Sequence, residues 1–165
     1  MQQPETPVHA PRLAGRHECL ERVLEVLPQA RRQVDIAARW LDPSLYDREE
    51  VLAALRALVV RQPRARIRLL VLEPEGLEKR GHRLLELASR LSSFFAVRRP
   101  AEEDCDFNEA WLLVDESAWL RQPQADRHAG SITGNDAASV RALRQHFDAL
   151  WARAEELAEF RRLSI

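Results

Sequence analysis

The stretch ARIRLLVLE, residues 65–73, constrains the fold more than any other part of the chain. Its apolar run from Leu69 to Leu72 does not alternate with polar residues. A strand of that kind is buried on both faces, as in the middle of a parallel sheet covered by helices. Such a sheet needs long crossovers between its strands, and helical crossovers are right-handed. The chain must therefore supply helices on either side of this strand.

It does. From Arg16, the residues Leu20, Val23, Leu24 and Leu27 recur at spacings of three and four, the period of a helix, until Pro28 ends it. QVDIAARW, residues 33–40, alternates Val34, Ile36 and Ala38 with other residues and predicts a strand. LDPSLYD is a turn, and Asp47 is the expected cap of a helix that turns Val51, Leu52, Leu55, Leu58 and Val59 inward. HRLLELASRL predicts a third helix, with Leu84, Leu87, Ala88 and Leu91 aligned. SFFAVRR, EAWLLVD and SAWLRQ predict three further strands. The last two are joined so tightly that they pair antiparallel. A short strand is expected within residues 127–133, and a long helix from Ala137 to Phe160 carries Val140, Leu143, Phe147, Leu150, Trp151, Ala154 and Leu157 on one stripe. The expected fold is α/β, a mixed sheet whose first three strands run parallel, flanked by helices and closed by a long C-terminal helix.

The domain expectation is a flexible arm over residues 1–14, which holds Pro4, Pro7 and Pro11, followed by one domain over residues 15–165. Hydrophobic residues at 45% and charged residues at 31% fit a soluble globular chain. No apolar run approaches the roughly 20 residues that span a bilayer. The first residues lack the basic and apolar regions of a signal peptide, so the expected location is the cytoplasm. Cys19 and Cys105 read as free thiols. His17 and Cys19 alone do not make a zinc site, and no metal or cofactor is expected.

The net charge of -1 provides no global field for nucleic acid. Lysine occurs once, at Lys79, among 25 basic residues, and the arginines cluster at Arg31-Arg32, Arg64-Arg66-Arg68 and Arg98-Arg99. The acidic run Glu102, Glu103, Asp104 and Asp106 stands ready to neutralise such a strip, so nucleic acid is not the expected partner.

The order VDIAARWLDP, VLAALRALVVRQPRARIRLLVLE, WLLVDES and SVRALRQHFDALW resembles one half of the phospholipase D superfamily, over about Arg16 to Trp151. It is also similar to a group of uncharacterised bacterial domains with this degenerate fold, some joined to an acyltransferase domain. The resemblance implies the signature H-x-K-x-x-x-x-D. With Asp115 at the aspartate position, Asn108 falls where the histidine nucleophile belongs and Ala110 where the lysine belongs. An amide is no nucleophile near neutral pH, and a methyl group neutralises no phosphate oxygen. Of the G-S-x-N element, Gly130 and Ser131 fit, Thr133 stands in the asparagine position, and Asn135 comes two residues late.

The implied protein is a non-catalytic binding or regulatory module, with a phosphate-containing or other anionic ligand. The resemblance also implies a homodimer and an acyltransferase as a candidate partner; Trp111 and Trp119, on adjacent expected strands, are candidates for a buried interface, and core packing explains them equally well. Ligands of parallel sheets bind at the carboxyl ends of the strands. There the candidates are Arg39, Asp42, Tyr46, Glu73, His82 and Arg83. The alternatives are a phosphoryl-transfer or hydrolytic enzyme using another histidine, His82 or His128, and a nucleic-acid-binding module.

Overall fold

The computed structural model describes Pro7 and residues 10–157, with only the backbone of Glu78 and Lys79. Its centre is a seven-stranded mixed sheet. β1 (Gln33–Ala38), β2 (Arg66–Val71) and β3 (Phe95–Arg99) are parallel neighbours. β4 (Ala110–Val114) pairs antiparallel with β1, β5 (Ala118–Gln122) with β4, and β6 (Ile132–Gly134) with β5. β7 (Glu155–Glu156) closes the far edge antiparallel to β3. The spatial order is β6-β5-β4-β1-β2-β3-β7, so β1 and β2 are interior and buried over all but their first residue.

Strand alternation sends two sets of side chains to opposite faces. Val34, Ile36, Ile67, Leu69, Val97, Leu112 and Val114 pack under α1 (Arg16–Val26), α3 (Glu49–Arg61) and α5 (Arg83–Arg90). The short α2 (Pro43–Tyr46) and α4 (Glu75–Lys79) lie in the loops after β1 and β2. The second face holds Ala37, Leu70, Trp111, Leu113 and Trp119, covered by α6 (Ala137–Arg153) through Val140, Leu143, Phe147, Leu150 and Trp151. Each such large apolar side chain contributes roughly 1.5–3 kcal/mol by leaving water. Gly134 makes room for this packing: a Cβ there would stand 2.7 Å from the Trp119 indole nitrogen.

Three expectations need correction. The last helix ends at Arg153, because the chain turns at Ala154 so that Glu155 and Glu156 can pair with Arg99 and Arg98, and residues 158–160 lie outside the described set. Leu157 joins the opposite core, donating its N–H to the Val97 carbonyl at 3.4 Å. Asp47 does not cap α3; its carboxylate receives Arg83 Nε at 2.8 Å, and Arg48 precedes the helix without a side-chain cap. Trp111 and Trp119 are buried within this chain under α6, not at a surface that another copy could cover.

The strand expected within 127–133 forms at 132–134. Of the N-terminal arm, residues 1–6, 8 and 9 lie outside the described residues. Its end lies along β6: Leu13 N–H donates to the Ser131 carbonyl at 2.7 Å, and Thr133 N–H to the Pro11 carbonyl at 3.2 Å.

Candidate functional site

β4 runs antiparallel to β1, so the start of β4 stands beside the end of β1. Asn108 and Ala110 therefore lie at the carboxyl edge of the parallel strands, and Asp115 lies at the amino edge. Asn108 is exposed, and its carbonyl accepts from the Ala125 N–H at 2.8 Å. Ala110 is half-buried at the head of β4.

Asp115 has a structural task. Its carboxylate accepts the backbone N–H groups of Arg31, Arg32 and Gln33 at 2.8, 2.8 and 2.9 Å. It also turns the chain at φ 51, a left-handed conformation that Asp tolerates better than most residues. Ser131 and Asn135 flank β6 at opposite ends. The Ser131 hydroxyl donates to the His128 carbonyl at 2.7 Å, and Asn135 Oδ1 accepts from Arg22 Nη2 at 2.6 Å.

The six loop candidates fall into separate groups. Arg39 Nη2 meets Glu73 Oε1 at 2.7 Å, because β1 and β2 end side by side. Asp42 caps α2, accepting Ser44 N–H at 2.9 Å and its hydroxyl at 2.6 Å. Its other oxygen lies 2.5 Å from His128 Nε2. Tyr46 is buried below, and burial, followed by the nearby Asp42 charge, pushes its phenol well above the ordinary value. His82 is buried and caps α5: Nδ1 accepts from the Leu84 N–H at 3.3 Å, which leaves Nε2 to donate to the Leu41 carbonyl at 3.2 Å. Burial lowers its pKa, in keeping with a neutral ring held between backbone groups. Arg83 is taken up by Asp47.

A further group sits on the α6 side of the same edge, in a cleft of about 200 Å³ whose lining includes Asp104, Phe107, Asn108, Glu109 and His146. Arg121 Nε donates to Glu109 Oε1 at 2.5 Å across the β4–β5 ladder. His146 packs edge-on against Trp111 at 5.1 Å, and burial lowers its pKa. The Trp111 indole N–H has no partner among the described residues. Sequence reasoning missed this cleft. The signal available was a charge interrupting each apolar strand segment, Glu109 before AWLLV and Arg121 within AWLRQ.

Residues 15–163 match the profile of a family described as Domain of unknown function (DUF7931). The chain belongs to that family. No curated protein matches its sequence significantly. Among solved structures, the family member resembles TrmBL2, an archaeal chromatin protein whose structure shows a novel mode of DNA binding. That match has a TM-score of 0.63 at 15% identity, covering 93% of this chain and 56% of TrmBL2. It also resembles Nuc from Salmonella typhimurium, a phospholipase D family member, with a TM-score of 0.52 at 13% identity over 82% of this chain and 88% of Nuc. NucT from Helicobacter pylori matches with a TM-score of 0.55 at 9% identity, over 86% and 92%. The fold of this DUF7931 domain is phospholipase D-like; at these identities the likeness concerns fold alone. Among the described residues no helix is long and apolar enough to cross a membrane.

Proposed function

We propose that this domain is a non-catalytic phospholipase D-like module that binds a phosphate-containing or other anionic ligand. The observation that carries the reading is the pair Asn108 and Ala110 at the carboxyl edge, where the resemblance calls for a nucleophile and a phosphate-neutralising cation. The remaining cations of the six candidates are paired: an anion entering there exchanges with Glu73 for Arg39, or with Asp47 for Arg83. That exchange fits reversible binding. Pairing with a second copy, and with an acyltransferase, belongs to the same proposal, and light scattering of the purified chain tests the first.

A second reading rests on one contact. His128 Nε2 stands 2.5 Å from Asp42 Oδ2, and each side chain is 24% exposed. A carboxylate-held imidazole open to solvent is the arrangement of a general base or a nucleophile.

The test combines ligand-induced thermal shifts with hydrolysis of bis(p-nitrophenyl) phosphate. Phosphate, nucleotides, phospholipid headgroups and acyl-CoA form the panel. A shift lost in Arg39→Ala, with no hydrolysis above the blank, is the expected result. No shift across the panel removes the ligand from the proposal. Hydrolysis that disappears in His128→Ala replaces it with the second reading.

A further inference from the structure

The net charge of -1 conceals a separation of charge. Because β1 and β2 are parallel neighbours, with Gln33 beside Arg66, the residues that enter them share one edge of the sheet. That edge gathers Arg31, Arg32, Arg64 and Arg66, all exposed, and Arg61 from the end of α3. The Arg66 N–H donates to the Arg32 carbonyl at 2.9 Å, so the two chains run in contact where the arginines leave them.

Two adjoining clefts, of about 540 and 830 Å³, lie along this edge and share Gln62. The five arginines line them. Among the described residues, Asp115 is the sole carboxylate in the linings, and both its oxygens are already bound by the N–H groups of residues 31–33. Arg31, Arg32, Arg64 and Arg66 have no carboxylate partner among the described residues. Other arginines without a described carboxylate partner, such as Arg16, Arg80, Arg90 and Arg141, are scattered rather than clustered, and Arg39, Arg68, Arg83, Arg98, Arg121 and Arg153 each hold one.

We propose that this amino edge is a second binding surface, distinct from the carboxyl-edge site, and that it takes the phosphate backbone of duplex nucleic acid. Guanidinium forks match phosphate oxygens in geometry and remain charged. Among the described residues the linings contain no aromatic side chain on which an unpaired base could stack, which favours duplex phosphates over single strands. Their described apolar residues are Pro28, Ala30 and Pro63, with none among the described residues of the large apolar or aromatic groups that seat a basic surface in a lipid interface. Contacts of this kind position a protein on DNA without reading its sequence.

The experiment is fluorescence anisotropy of the full chain with a labelled 20-base-pair duplex, the corresponding single strand, and a second duplex of unrelated sequence, over a potassium chloride series. Both duplexes should bind alike and more tightly than the single strand. Log affinity should fall linearly with log salt, with a slope of about -0.9 per phosphate contacted. The triple variant Arg32→Ala, Arg64→Ala, Arg66→Ala should bind roughly tenfold or more weakly and flatten the slope by about one per arginine removed. None of those side chains donates a hydrogen bond to a described residue, and circular dichroism of the variant confirms folding. Arg80→Ala, exposed on the opposite edge, serves as the control and should bind like the native chain. No duplex binding overturns the proposal. So does binding indifferent to the triple variant, or binding of phosphatidylglycerol vesicles in preference to duplex. Hydrolysis of the duplex contradicts the non-catalytic reading and leaves this surface standing.

Discussion

Asp115 ties the entry to β1 to the turn that follows β4. Three N–H groups at the entry to β1 converge on it, its own N–H donates to the Gln33 carbonyl at 2.8 Å, and its carbonyl receives Arg144. Its two parts separate by mutation. Asp115→Asn retains the tolerance for φ 51 and one acceptor oxygen, whereas Asp115→Ala loses both. Hydrogen bonds to a charged group contribute roughly 1.5–3 kcal/mol. Asp115→Ala should therefore lose about 3 kcal/mol in urea unfolding, and Asp115→Asn about half of that. Equal losses in both variants would mean that the carboxylate, rather than the backbone turn, is the stabilising part, whereas a negligible loss in Asp115→Asn would assign the stability to the turn.

Among the elements, α5 depends on a histidine where helices usually begin with Ser, Thr, Asp or Asn. His82 caps it as a neutral, buried ring. Its pKa is lowered in the folded state, so between that value and the unfolded value of about 6.5 the unfolded chain binds more protons. Stability is therefore complete above about pH 7 and falls as pH drops through the unfolded pKa toward the folded one. His146, lowered for the same reason, adds to the slope. In His82→Asn the cap acceptor remains and the titration is gone. The difference in urea midpoint between pH 7.5 and pH 5.5 should shrink, leaving the part that belongs to His146. An unchanged difference would assign the slope elsewhere.

On the scale of the whole molecule, α6 is fixed to the sheet by ions as well as by apolar packing. Asp35, fully buried in β1, holds Arg68 through two bonds of 2.7 and 2.9 Å and Arg144 Nε at 3.0 Å. Arg68 reaches Asp148 of α6 at 2.8 Å and lies over the Phe147 ring at 4.7 Å. Removing Asp35 leaves Arg144 without its carboxylate and Arg68 with Asp148 alone, at a cost of roughly 3–5 kcal/mol. Asp35→Ala should show that loss in urea unfolding. A loss below about 1 kcal/mol would mean that water enters and solvates the two guanidinium groups.

The sequence determined the elements. The unbroken run at Leu69–Leu72 placed β2 in the interior, period-two and period-three-to-four spacing separated strands from helices, and the tight link at Asp115–Ser117 set the β4–β5 hairpin. These are local patterns, and local geometry reads them. Part of the carboxyl edge was legible as well, because the strand order says which loops meet there. What needed the tertiary structure was partner choice: Asp47 turning from its helix to Arg83, His82 closing on Leu41, His128 finding Asp42 across 86 residues. Charge separation is of the same kind. Arg66 and Arg68 are two residues apart and look alike in the chain, yet Arg68 is buried against Asp35 while Arg66 is left in solvent. Spacing along a chain decides which face a side chain takes. Only the packed neighbours decide whether its charge is cancelled.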